Sequence, residues 1–176
     1  MSPGQEVRST IVPDFFGGNM DCPEVRAGNT VYLGVKVPGA LLSFGDGHYA
    51  MGDGEIIGTA VEGAMNVSLI VDLVKGGGPA WPRIETDDYL MVVGSSRPLE
   101  DAWRIGQAGM VGWLSDLYGL DRLDAYQLLT QVSECPLANV VDVNYSSVTK
   151  VRKSLLPPAD AYQGVHRRLR ELAATN

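Results

Sequence analysis

The hydrophobic pattern of the first half of the chain is that of short strands. Thr30 to Val37 (TVYLGVKV) alternates and is rich in β-branched residues, which predicts a strand broken by Pro38-Gly39. Ile56 to Val61 and Met65 to Val74 predict two more. In the latter, Val67, Leu69, Val71 and Leu73 share one side, while Ser68, Ile70 and Asp72 share the other. Glu62-Gly63-Ala64 between them is short enough for a hairpin turn. Arg8 to Val12 reads as a brief strand stopped by Pro13, Trp81 to Thr86 as strand or loop, and Tyr89 to Val93 as a strand. Gly76-Gly77-Gly78 lacks the Lys-Ser/Thr that follows a phosphate-binding loop and is taken as a connection.

The period changes after residue 97. Leu99, Trp103, Met110, Trp113, Leu114 and Leu117 fall at helical spacing, with Pro98 at the start and Gly119 at the end. Asp121-x-x-Asp124 resembles a capping signal for a second helix that buries Ala125, Tyr126, Leu128, Leu129 and Val132. Leu137 to Val143 returns to strand character. Pro157-Pro158 then precedes a last amphipathic helix through Tyr162, Val165, Leu169 and Leu172. Strands first and helices later define an α+β fold, with the helices laid over one face of the sheet. No linker divides the chain, so residues 1–176 form one domain, β-rich over 8–97 and helical or mixed over 98–176.

Charge refines this picture. The net charge of −7 is uneven: residues 150–176 hold six Lys or Arg against two acids, while residues 1–149 hold eight against nineteen. So acidic a body argues against nucleic-acid binding, which depends on clustered cations. The basic tail is read as a solvated helix face, with docking onto an acidic partner or a sister subunit as the alternative. Two cysteines make no disulfide framework, and no apolar run approaches the length of a membrane span. With no signal peptide visible over Met1 to Thr10, a reducing cytoplasm is the expected compartment.

Candidate chemistry is concentrated in GDGHYAMGDGE, residues 45–55, and in the upstream turn Gly17-Gly18-Asn19-Met20-Asp21. Asp46 and His48, two apart, face the same side of an extended segment, and Asp53 and Glu55 repeat the spacing. A carboxylate and an imidazole converging on one point can ligate Zn²⁺ or another divalent ion, or pair for proton transfer. Several carboxylates packed together need a cation or a retained proton. Equally, two Gly-Asp turns can simply join strands and cap their own backbone; composition leaves these readings balanced. Cys22 and Cys135 are taken as inert thiols, His166 as solvated, and Glu62 as either a turn residue or a further arm of the same pocket.

The ordered run GGNMD (17–21), Val37-Pro38-Gly39-Ala40, then GD-x-H and GDGE within 45–55 resembles the acetamidase/formamidase family. Asp124-Ala125-Tyr126 and Val140-Val141-Asp142 are also similar, and the resemblance covers roughly residues 10 to 157. It implies a β-rich, sandwich-like body with appended helices, and hydrolysis of short amides such as formamide or acetamide. It also implies a divalent metal, zinc or calcium, and a homo-oligomer or a partner subunit, because family members carry a further N-terminal half. On this resemblance Asp21, Asp46 and His48 are expected to hold the metal. Glu55 and Asp53 are expected to carry the catalytic protons and Asn19 to meet the substrate. The alternative is a non-catalytic or regulatory subunit that pairs with a chain supplying the N-terminal half.

Overall fold

The computed structural model describes residues 6–175. Its centre is a five-stranded antiparallel sheet built from β1 (Thr30–Tyr32), β4 (Arg83–Glu85), β5 (Tyr89–Ser96), β6 (Leu137–Asn139) and β7 (Tyr145–Arg152) in the order β1-β4-β5-β7-β6. A separate two-stranded ribbon pairs β2 (His48–Ala50) with β3 (Val61–Glu62). Three helices, α1 (Leu99–Tyr118), α2 (Arg122–Val132) and α3 (Val165–Ala174), follow the strand-rich part, as the α+β reading requires.

The helix punctuation holds. Helix α1 begins after Pro98 and ends at Gly119, whose φ of 65° is the left-handed closure that glycine adopts without strain. Its buried face runs through Ala102, Gly106, Met110, Trp113 and Leu114, leaving Trp103 half-exposed beside it. Glycines on that face let the helix lie almost on the sheet: a Cβ at Gly106 would stand 2.6 Å from Thr149 Oγ1, and one at Gly109 2.9 Å from Val92 Cγ1. Asp121 caps α2 by accepting the Leu123 N–H at 2.8 Å. Ala125 and Leu129 are buried, whereas Tyr126 points outward. One apolar cluster joins Leu90, Val92 and Val151 to Met110, Trp113, Leu114 and Leu129. On the opposite face of the sheet Cys22, Ile84, Met91, Val93, Ala138 and Val148 form a second.

Several strand expectations are corrected. Residues 8–12 form a turn, in which Val12 N–H bonds Ser9 C=O, rather than a strand. The strand from Thr30 stops at Tyr32 because the backbone then crosses another: a Cβ on Gly78 would lie 2.7 Å from the Gly34 Cα. Ile56 to Ala60 is a turn, closed by a 2.8 Å bond from Gly58 N–H to Glu55 C=O, and only Val61–Glu62 pair as a strand. Residues 65–74 belong to no strand, and most of their apolar side chains are exposed. Strand β7 was not expected at all, although it pairs with β5 along its whole length from Tyr89↔Arg152 to Ser96↔Tyr145.

Helix α3 docks through its first residues, Val165 and His166, while Arg167, Arg168 and Arg170 lie on an exposed face. His166 is 5% exposed; its Nδ1 meets Thr30 Oγ1 at 2.9 Å and its Nε2 meets Asp87 Oδ1 at 3.0 Å. All six basic residues of the tail pair within the chain: Lys150 with Glu24, Arg152 with Glu134, Lys153 with Glu85, Arg167 with Asp160, Arg168 with Asp72 and Arg170 with Asp87. For five of the six the partner lies in the acidic body; Asp160, the partner of Arg167, belongs to the tail itself. No helix among the described residues is long and apolar enough to cross a membrane.

Candidate active site

Three separate pieces of chain converge on one carboxylate–imidazole cluster. The turn after Gly18 delivers Asp21, the start of the β2 ribbon delivers His48, and the loop after Gly52 delivers Glu55. Ligand atoms of these three residues lie within 4.8 Å of one another. Three of the acidic residues near this point, Asp21, Asp46 and Glu55, have left-handed backbones, with φ of 41°, 61° and 45°. Non-glycine residues hold that conformation only where the surroundings impose it, and such strain collects at functional sites.

His48 is the hub. Its Nδ1 is 3.7 Å from Glu55 Oε1 and its Nε2 is 3.2 Å from Asp46 Oδ1. Nε2 is nonetheless buried without a hydrogen bond, so the Asp46 approach is an oblique ion-pair contact rather than a bond. Asp46 forms a second grouping with His48 and Glu62, the residue opposite His48 in the ribbon. Of the expected set, Asp21 and Asp46 each group with His48, but no grouping among the described residues brings all three together. Glu55 joins the Asp21 side and Glu62 the Asp46 side.

Asp53 does not come with them. Gly54 and Glu55 both take positive φ, 85° and 45°, so the extended geometry that would align Asp53 with Glu55 is broken. Asp53 is exposed, and its carboxylate belongs to neither grouping. Asn19 is at the cluster, but its amide is turned onto carboxylates: Nδ2 donates to Asp21 Oδ2 at 2.9 Å and to Asp142 Oδ2 at 3.0 Å.

Two residues that sequence reasoning did not single out complete the arrangement. Asn139 is fully buried, and its Nδ2 reaches Met20 O and Asp142 Oδ2, each at 3.2 Å. Asp142 adds another carboxylate beside Asp21. The available signal was a lone Asn and a lone Asp inside the apolar run from Leu137 to Val143, since polar residues in a strand-like segment need a partner.

The electrostatics follow from this crowding. Burial, then the hydrogen-bonding contact with Asp142, then the charges of Glu55, Asp142 and Asp46 push the Asp21 carboxyl from the ordinary 3.8 up to about 9. Burial also raises Glu55, against a lowering contact from Asp21 and the attraction of His48. Without a cation, the cluster therefore keeps a proton at neutral pH. The donor set of carboxylate oxygens and an imidazole fits a divalent cation, and the buried, unbonded Nε2 lies on the Asp46 side of the ring. Cys22 stands apart: burial lifts its thiol to about 12, the behaviour of an inert core cysteine.

The sequence profile of the Acetamidase/Formamidase family matches residues 3–151, and the chain belongs to that family. An acetamidase of Mycolicibacterium smegmatis is 36% identical over 95 residues, 53% of this chain and 23% of that protein. A formamidase of Methylophilus methylotrophus is 41% identical over 69 residues, 39% of this chain and 17% of that protein. The crystal structure of an acetamidase from Yersinia enterocolitica superposes with a TM-score of 0.78 at 39% identity, over 89% of this chain and 48% of that one. The chain thus spans less than a quarter of the curated relatives and about half of the solved one.

Proposed function

We propose that this chain carries the acid–base and cation-binding part of an enzyme that hydrolyses the C–N bond of a small linear amide such as formamide or acetamide. The observation that carries this reading is the convergence of Asp21, His48 and Glu55 within 4.8 Å, on strained backbone, in a member of this family. Kinship with proteins named acetamidase and formamidase supports the substrate class.

Asp21 and His48 would hold the cation beside Glu55, while Asp46, grouped with His48 and Glu62, offers a second position at the other ring nitrogen. The imidazole favours zinc over calcium, which prefers oxygen ligands alone. Such a cation supplies polarisation of the amide carbonyl or of a bound water. Glu55, raised by burial and beside His48, is suited to take a proton from the attacking water. It would return that proton to the nitrogen as the C–N bond breaks, leaving a carboxylate and ammonia. Asn19 and Asn139 hold Asp21 and Asp142 in place with their amide donors. Asp53, being exposed, is given no step.

We further propose that the active assembly contains more polypeptide than these residues, as a second copy or a separate subunit. Residues 65–74 support this: they are mostly apolar and exposed, Val71 by 70%, and they lack ladder partners among the described residues. A hollow of about 510 Å³ beside α3, lined by Asp87, Lys153, His166 and Arg170, shares no residue with the cluster. A closed substrate pocket around Glu55 would need walls from elsewhere. The same exposure favours a second reading, in which the chain is a non-catalytic or regulatory subunit. The free thiols of Cys22 and Cys135 accord with a reducing cytoplasm as the proposed compartment.

The deciding assay is ammonia release from formamide and acetamide, with and without a chelator, by the protein as purified with any partner. Chelator-sensitive release that disappears in Glu55→Gln supports the enzyme. A stable complex whose activity is indifferent to Glu55→Gln supports the regulatory reading.

A further inference from the structure

We infer that Asn139 is the positioning residue that registers the Asp21 turn against the Glu55 loop, and that cation binding depends on it. The inference rests on the site proposed above. Asp21 and Glu55 are 34 positions apart and share no strand pairing, so something must hold them at one point. Strand β6 does so from a single residue outward. Its main chain grips the peptide before Glu55: Gly54 N–H bonds Leu137 O and Ala138 O at 3.2 Å, and Val140 N–H bonds Gly54 O at 3.0 Å. Gly54 and Asn139 form a parallel bridge there.

The Asn139 side chain grips the other piece. Its Nδ2 faces Met20 O and Asp142 Oδ2 at 3.2 Å, Asn19 O at 3.4 Å and Asp21 Oδ2 at 3.5 Å. An amide has two protons to give, so the two nearer acceptors take the bonds and the others sit in its field. Its Oδ1 accepts the Asp142 N–H at 3.4 Å, which fixes the orientation of the amide. Asn139 is in turn paired with Ser146 of the inner strand β7, so both grips are referred to the sheet. The side chain is fully buried and every polar atom is used. A residue of this kind, outside the ligand set but orienting it, typically governs metal affinity by about 10–100-fold.

The test compares Asn139→Ala with Ser146→Ala, a neighbouring buried position whose hydroxyl bonds Ser95 Oγ at 2.9 Å and contacts no member of the cluster. Two readouts are taken well below the melting temperature: Zn²⁺ affinity by calorimetry, and backbone amide exchange by residue. Asn139→Ala should weaken Zn²⁺ about 10–100-fold and speed exchange at Met20 and Asp21, while Gly54, held by main-chain bonds, stays protected. Ser146→Ala should do neither. If the alanine variant does not fold, Asn139→Asp, which keeps the shape and the acceptor for Asp142 N–H, removes the same donor. Unchanged exchange at Met20 and Asp21 overturns the inference, as does an unchanged Zn²⁺ affinity or a loss equal to that of Ser146→Ala. If the parent protein binds no Zn²⁺, the proposed function fails separately, and the exchange pattern alone decides whether Asn139 holds the turn.

Discussion

His48 and Glu55 approach to 3.7 Å between Nδ1 and Oε1, although one opens the β2 ribbon and the other ends a glycine-rich loop seven residues later. The contact exists because Glu55 takes a left-handed backbone, which turns its carboxylate inward to a site where it is 6% exposed. Glu55→Gln keeps the shape and removes the ionisable proton. It should abolish ammonia release while far-UV circular dichroism and the melting temperature stay close to the parent's. His48→Ala should also abolish turnover, with divalent-cation affinity lost at the same time.

The proton held by Asp21 makes a pH-dependent contribution to stability. Its carboxyl is raised from 3.8 to about 9 in the fold, so the folded state binds this proton more tightly than the unfolded state. The stability it contributes is complete below 3.8 and is lost as pH rises through about 9. Thermal melts of the metal-free protein should therefore fall across that window. Asp21→Asn, which cannot ionise, should flatten the fall. Zn²⁺ added near neutral pH should raise the melting temperature of the parent, since the cation takes the place of the proton.

Leu114 on α1 is fully buried against Leu129, Leu90 and Val151. Leu114→Ala should cost about 2–5 kcal/mol in urea unfolding. With the site on the other face of the sheet, its folded fraction should bind cation as the parent does.

Val67 and Val71 lie in the segment 65–74, which joins no strand, and are exposed. Aspartate at both positions should prevent assembly, read as a smaller mass by light scattering, with the monomer's melting temperature preserved. An unchanged mass would remove this segment from any interface.

How much of this was legible in the chain depended on where polar residues fell. Helix α1 was readable because Pro98 and Gly119 bracket a regular apolar stripe, with no local signal opposing it. Strand β7 was not, because Ser146, Ser147 and Thr149 put hydroxyls at buried positions of an inner strand and erase the alternation. Residues 65–74 err the other way: their pattern is strand-like, but a strand needs a ladder partner and none of the described residues provides one. At the site, the Gly-Asp repeats of residues 45–55 advertised themselves. The left-handed turn that excludes Asp53, and the contribution of Asn139 and Asp142 from beyond α2, depend on tertiary contacts that no local spacing encodes.

The central claim is that Asp21 and His48 hold a cation beside Glu55, the proposed proton carrier. Calorimetric titration of the chelator-stripped protein with Zn²⁺ near pH 7.5 tests it most directly. The expected result is one saturable site with proton release, lost in His48→Ala and strongly weakened in Asp21→Asn. No saturable binding, or binding by His48→Ala indistinguishable from the parent's, would contradict it.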